Sequence, residues 1–479
     1  MTGIHAYGAY VPRLRLQRSV VAQAHQWFAP ALKAHSRGER AMANWDEDAI
    51  TLAVEAARDA LPLDRRATIG SVVMASTSAP FADRQNAGVV KEALNLHDDV
   101  MTLDTSGSQK CATGALIQAL RSNAPENTLC IASERPATQP ASEAELVNGD
   151  AAAAVVVGQG DGIARFLGSH SVAIDFVDHF RSASADHDYG WESRWVRDEG
   201  YSRIAGGALR AALQKLNVSA DSVQHFLVPI PVKGVGESLA KAAGIAASAL
   251  HDNLSATLGH AGCAQPMVLL ARSLARAKPG ERIVLLGFGQ GCDVLVFEAT
   301  PAIAAHDHPR GVDGWLARGK AETNYFRHLA FTGALTLERG MRAELEQKQP
   351  LTALYRNRKT VLGLVGARER DTGAVQYPRT TLAVGAQNVG EDKLEDYPLA
   401  ERGARIFTYT ADSLAYSPDP PGCYGMLEFD GGGRMLAEFT DVDPSTLEVG
   451  MAMRMSFRIK AVDERRDFTK YFWKAAPAA

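Results

Sequence analysis

Cysteine is scarce in this chain. The five residues, Cys111, Cys130, Cys263, Cys292 and Cys423, are scattered and form no CxxC pair. That argues against a disulfide framework and a four-thiolate zinc site, and it suits a reducing cytoplasm. Long apolar runs are also missing. None approaches the ~18 residues of a membrane span, and the opening stretch lacks the apolar core of a signal peptide. Positive charge is not in excess. A formal net charge of -4 provides no general field for nucleic acid. An anionic ligand would have to meet local cations or helix N-termini. The GxGxxG spacing of a dinucleotide site is absent.

What is present is ordinary globular composition, 46% hydrophobic and 22% charged over 479 residues, which is enough chain for two or three domains. Short apolar segments at 71–75, 128–132, 152–157, 226–230, 282–287 and 294–298 read as strands. Helical periodicity covers 46–60, 111–122 and 266–277. Strands alternating with helices predict an α/β architecture with buried sheets. Gly149-Asp150 precedes one buried strand and Gly291-Cys292-Asp293 precedes another, an echo that two related halves would explain. Residues 304–309, including His308, read as a linker, and 315–349 as a charged helical stretch. Beyond Val361 the pattern turns all-β, with strands at 380–384, 404–409, 425–429, 435–439 and 452–459. Five short strands suit a small barrel such as an OB-fold.

Three motifs carry chemistry. Residues 105–115 run from a hydroxyl- and glycine-rich turn into a helix whose first turn holds Cys111. Unpaired N–H groups and the helix dipole favour a thiolate there, and Lys110 adds charge nearby. A buried structural cysteine is the alternative on local features alone. Gly259-His260-Ala261-Gly262 offers a histidine at a tight turn, a candidate proton partner for a thiol or else a plain surface-turn histidine. Gly287-Phe288-Gly289-Gln290-Gly291 follows a strand, and its backbone is a candidate for holding an oxyanion.

In this order the motifs resemble the thiolase superfamily, in particular the branch of hydroxymethylglutaryl-CoA synthase and ketoacyl-ACP synthase III. The opening Gly3–Pro12 stretch, Asn44-Trp45-Asp46-Glu47-Asp48, Lys110-Cys111-Ala112, the 259–266 segment and the 278–291 hairpin all share the likeness. Tyr325-Phe326-Arg327-His328-Leu329 and Ala374-Val375-Gln376-Tyr377-Pro378 resemble the zinc-ribbon–OB proteins associated with acyl-CoA enzymes. The resemblance implies a five-layered fold of two similar halves (1–165 and 166–302), a linker and helical segment (303–358) and an OB-fold domain (359–479). It implies a homodimer and acyl-CoA substrates, with coenzyme A as a substrate moiety and no permanently bound cofactor. It makes Cys111 the acyl-accepting nucleophile, His260 its proton partner, and Gly287, Phe288 and Gly289 the backbone hole. Arg194-Trp195 falls where the family has an Arg-Phe pair near a substrate channel. Lys233 and Arg194 are candidates for CoA phosphates, with solvated surface charge the alternative for each.

Several positions depart from the family pattern. Thr77 stands where the synthases carry a catalytic glutamate, and a threonine cannot move a proton near neutral pH as a carboxylate does. Pro229 stands at the His-x-Pro histidine, and His225 lies four residues away from it. His260 replaces an asparagine, as in thiolases proper, whose second cysteine is Leu285 here. The zinc-ribbon positions are Glu369, Thr372, Leu382 and Gly385, so no structural zinc is expected. The run Asp186-His187-Asp188-Tyr189 has no further ligands to make a metal site. The expectation is therefore a CoA-dependent acyltransferase, β-ketothiolase-like or condensing, working through Cys111 and His260. The alternatives are a non-catalytic subunit whose chemistry sits in a separate thiolase partner, or hydroxymethylglutaryl-CoA synthase-like or retro-aldol activity.

Overall fold

The computed structural model describes residues 1–307, 309–343, 348–384 and 390–478. His308 of the expected linker and Gly385 of the ribbon positions lie outside the described residues. The chain divides into two compact units. The first comprises residues 1–44, 48–88 and 98–329. The second comprises 45–47, 89–97 and 330–479.

Nine strands of the first unit carry its architecture: β1 (Thr2–Tyr10), β2 (Ile69–Ala75), β3 (Met101–Thr105), β4 (Asn127–Glu134), β5 (Ala151–Gln159), β6 (Ala164–Ala173), β7 (His225–Leu227), β8 (Arg282–Phe288) and β9 (Gly291–Ala299). Their hydrogen-bonded order is β7-β8-β9-β6-β1-β5-β4-β2-β3. The same pattern occurs twice. β4 and β5 form an antiparallel pair, with β1 beyond β5 and parallel β2 beyond β4. β8 and β9 repeat this, with β6 beyond β9 and parallel β7 beyond β8. The glycine–acid echo thus falls at equivalent strands, β5 and β9. Gly3 and Ile4, paired with Arg165 and Ala164, join the two sets.

Five helices complete the layers: α1 (Ala49–Ala60), α2 (Cys111–Arg121), α3 (Gly206–Lys215), α4 (Val235–Ala243) and α5 (Gln265–Leu274). α1 covers β1, β4 and β5. α2 and α5 pack on each other between the two strand sets. α3 covers β6 and β9 and packs on α4. The result is a five-layered α/β arrangement. β5 has helices on both faces, so its Ala-Ala-Ala-Ala-Val-Val-Val run is buried throughout rather than alternating. α1 starts at Ala49, later than the periodicity suggests, because Asp48 caps it. The Asp48 carboxylate accepts from Thr51 N–H at 2.9 Å, and the Asp48 N–H donates to Thr51 Oγ1 at 2.8 Å. β7 stops at Leu227, short of the expected 230, since Pro229 and Pro231 have no N–H to give a ladder.

The expected helical stretch over 315–349 consists of short pieces. Short helices occupy Gly311–Ala317 and Tyr325–Phe331, and Gly333 and Gly340 take positive φ angles that end helical geometry. Residues 344–347 of that stretch lie outside the described residues. In the second unit, β10 (Ala404–Asp412), β11 (Gly422–Phe429), β12 (Arg434–Glu438), β13 (Ala452–Asp463) and β14 (Phe468–Pro477) form a sheet of order β12-β11-β10-β13-β14. Alternating burial along β11 and β12 gives it one inward face. Residues 380–384, expected as a strand, are irregular; Gln376 bonds Thr380 Oγ1 and the Leu382 carbonyl there. Where the ribbon was expected, Glu369 ends the strand Val365–Glu369. Its carboxylate accepts the N–H groups of Asp371 and Thr372 at 2.9 and 2.6 Å, so it closes a turn.

Candidate active site

Cys111 is the first residue of α2, with its side chain almost buried. The turn before it is held by the glycine turn between β8 and β9. Ser108 Oγ donates to the Gly289 carbonyl at 2.9 Å, and Thr113 Oγ1 donates to Asp293 Oδ2 at 2.9 Å. A Cβ at Gly287 would lie 2.3 Å from Thr113 Oγ1, and one at Gly289 would lie 2.8 Å from Lys110 N. Glycine is therefore required by close approach at both places. The Gly289 N–H donates to the Gly291 carbonyl at 3.1 Å, a bond that an oxyanion would have to displace. Lys110 does not face the thiol. Its ammonium pairs with Asp293 at 3.4 Å.

Cys111 has company that the sequence did not reveal. Its thiol is close enough to that of Cys263 to shift it. Cys263 Sγ also lies 2.9 Å from Glu134 Oε2, at the C-terminal end of β4. The same carboxylate oxygen accepts the Thr77 N–H and hydroxyl, each at 3.0 Å. Thr77 does stand where a glutamate was expected, but a carboxylate reaches that place from another strand. The neighbouring Cys111, burial and the Glu134 carboxylate together raise the Cys263 thiol well above its ordinary value. Cys263 therefore keeps its proton.

His260 sits three residues before Cys263. Its Nε2 lies 3.2 Å from the Pro229 carbonyl, which only accepts, so Nε2 carries the proton. Burial pushes the ring down to about 4, partly offset by that bond, so the imidazole is neutral with its lone pair on Nδ1. The His260 backbone is locked to the Gly149 turn: His260 N–H donates to Val147 O at 2.8 Å and Gly149 N–H to His260 O at 3.0 Å. His225 is engaged elsewhere, bonded to His251 at 2.8 Å and Glu281 at 2.9 Å.

A short hairpin, His179–Phe180 paired with Tyr189–Gly190, adds a second histidine. His179 Nε2 lies 3.2 Å from Gln109 Nε2 and its Nδ1 lies 3.2 Å from Asp178 Oδ2. No local motif marks either His179 or Glu134. The only signal was an acid at the end of a buried strand, where α/β sheets place their sites. Trp195 stacks on Phe176 at 4.3 Å, and Phe176 meets Phe288 of the glycine turn at 6.2 Å. Arg194 is exposed and 3.8 Å from Asp198, and Lys233 is exposed just before α4. Among the described residues no three His, Cys, Asp or Glu side chains converge in a metal-binding group, and no helix is long and apolar enough to cross a membrane.

Residues 397–458 match the ChsH2 C-terminal OB-fold domain family. Hydroxymethylglutaryl-CoA synthases of Thermococcus onnurineus and Thermococcus gammatolerans are 28% and 29% identical to this chain, over 60% of it and 83% of each of those proteins. A solved HMG-CoA synthase complexed with CoA superposes with a TM-score of 0.62 at 16% identity, covering 73% of this chain and 94% of that one. The 3-oxoacyl-[acyl-carrier-protein] synthase III of Aquifex aeolicus gives 0.54 at 18%, covering 62% of this chain and all of that one. The first unit thus has a thiolase-like fold, and an OB-fold domain follows it.

Proposed function

We propose that this chain is a CoA-dependent condensing acyltransferase that carries its acyl group on Cys111. The observation that supports this most directly is the place of Cys111 at the first turn of α2, where the helix dipole favours a thiolate. The neighbouring Cys263 keeps its proton and directs it to Glu134, so this thiol adds no negative charge beside a Cys111 thiolate. His260, neutral and protonated on Nε2, offers the Nδ1 lone pair to accept the Cys111 proton. The thiolate then attacks the thioester carbonyl. The new bond is Cys111 Sγ–C, the bond that breaks is C–S(CoA), and the electron pair leaves on the CoA sulfur. Backbone groups of Gly287, Phe288 and Gly289 face the developing oxyanion, with the Gly289 N–H released from Gly291.

The likeness to hydroxymethylglutaryl-CoA synthases and to a 3-oxoacyl synthase III favours a carbon nucleophile for the second half-reaction. CoA is the carrier on this reading, with Arg194 and Lys233 toward its phosphates and Trp195 at the entry to the site. β3 lies at the edge of the sheet with Met101 60% and Leu103 47% exposed, and a second copy pairing there would cover an otherwise open edge. Buried free thiols fit a cytoplasmic setting. Intact-protein mass spectrometry after incubation with a panel of acyl-CoAs tests the reading. The wild type gains one acyl mass and Cys111→Ala gains none; equal labelling of the variant overturns it.

A further inference from the structure

Condensation requires a carbon nucleophile, and the groups nearest Cys111 are poorly placed to make one. His260 Nδ1 serves the Cys111 proton on the reading above, Glu134 is 1% exposed and has no route by which to return a proton to water, and Cys263 holds its proton. The short hairpin supplies a different group. It is tied down on three sides: Arg181 donates to the Thr77 carbonyl, Asp188 N–H donates to Ala137 O at 2.9 Å, and Gln109 bonds His179 at 3.2 Å. Gln109 is two residues from Cys111, so the imidazole is held against the nucleophile's own turn.

One tautomer satisfies both His179 contacts. The Gln109 amide nitrogen only donates, so His179 Nε2 is the lone-pair nitrogen, and Nδ1–H donates to Asp178. A general base needs this arrangement, with the lone pair toward the site and the proton toward a carboxylate. The charged groups facing the ring are Asp178 on its own hairpin, Asp188 across the hairpin with Arg181 paired to it, and Glu134 from β4, with neutral His260 nearby. Burial opposes the imidazolium, but Asp178, Asp188 and Glu134 outweigh it, so its affinity for a proton is raised. The His179 side chain is 29% exposed while Glu134 is 1% exposed, so His179 can return its proton to water.

We infer that Asp178 and His179 form the acid–base dyad that takes the α-proton from the second acyl-CoA. This rests on the condensing function proposed above. The C–H electron pair becomes an enolate and the proton binds His179 Nε2, displacing the Gln109 contact. The enolate carbon attacks the acyl carbonyl on Cys111. The C–C bond forms, the C–Sγ bond breaks, its electron pair returns to Cys111, and His179 passes its proton to solvent. The substrate class is an enolisable acyl-CoA thioester.

The test uses the full chain in deuterium oxide with acetyl-, propionyl- and octanoyl-CoA. α-Proton exchange is followed by NMR and Cys111 acylation by mass. His179→Gln is expected to acylate within about threefold of wild type yet lose exchange by about 100-fold or more, the usual worth of a general base. Asp178→Asn is expected to slow exchange and move its acid limb to lower pH, which a merely structural role would not do. Wild-type exchange in His179→Gln overturns the inference, as does loss of exchange in Glu134→Gln alone. An unshifted limb in Asp178→Asn also overturns it. Exchange without acylation of Cys111 overturns the acyl-enzyme reading and leaves the dyad standing. A wild type that exchanges no α-proton overturns the dyad.

Discussion

Cys263 Sγ lies 2.9 Å from Glu134 Oε2, with the Cys111 thiol as its neighbour. Two buried thiols and a carboxylate, drawn from α2, β4 and the segment before α5, thus share one proton-rich corner. Cys263 stays protonated there, because burial, Cys111 and the Glu134 carboxylate all oppose a further negative charge.

Glu134→Gln tests that balance. It removes the negative charge while keeping an oxygen for Thr77 and Cys263. The Cys263 thiol is expected to fall toward its ordinary range, since one of the charges holding it up is gone. Alkylation of Cys263 by iodoacetamide as a function of pH, in a Cys111→Ser background, reads the change. Its midpoint moves to lower pH when Glu134 is replaced. An unmoved midpoint would mean the carboxylate exerts no field there.

His260 gives a prediction about acid stability. Its folded value, about 4, lies below the 6.5 of an unfolded histidine. The unfolded chain therefore takes up a proton first as pH falls. The stability this neutral ring contributes is complete above about pH 6.5 and is lost as pH falls toward 4. The loss is about 3 kcal/mol at full effect. His260→Gln is expected to flatten the decline of the melting temperature between pH 6.5 and 4. A parallel decline in both proteins contradicts this account.

The parts of this site that were legible in the sequence are those written into local backbone. Cys111 stands at a helix start, His260 at a glycine turn, and Gly287 and Gly289 where a strand reverses. Each announces itself within a few residues. Glu134, Cys263 and His179 do not, because their roles exist only through convergence: Thr77 meets Glu134 across 57 residues and Cys263 meets it across 129. The layered fold was legible for the same local reason, in the alternation of apolar strands with amphipathic helices. The division of the helical stretch over 315–349 into short pieces was not, because charged helical periodicity outweighed Gly333 and Gly340 in the reading, and the backbone obeyed the glycines.

Gly149 shows how little room the paired turns leave. A Cβ there would sit 1.8 Å from the Leu258 carbonyl oxygen, which belongs to backbone and cannot rotate aside. Gly149→Ala is expected to displace the 258–260 turn and its histidine. The expected cost is about 1–3 kcal/mol of stability, together with lost acyl labelling at Cys111. A variant that melts and labels like wild type would show that the two turns can separate freely.

In the second unit the decisive group is Arg458, which is fully buried on β13. Its guanidinium meets Asp441 at 2.8 Å and Asp46 at 3.5 Å, and it also pairs with Glu47. Lys474 joins Asp46 at 3.0 Å and lies 4.0 Å above the Trp45 ring. Replacing the arginine by methionine keeps much of the apolar stem but removes the cation that Asp441 and Glu47 share with Asp46, while Lys474 stays on Asp46. Because stranding a buried charge costs far more than an intact pair contributes, Arg458→Met is expected to lose about 3–5 kcal/mol. Thermal unfolding of this unit, followed by the near-ultraviolet signal of its buried Trp473, reads the loss. The triple variant that also carries Asp441→Asn and Glu47→Gln should recover much of it. Failure to recover would mean that the arginine acts by filling space rather than by meeting charge.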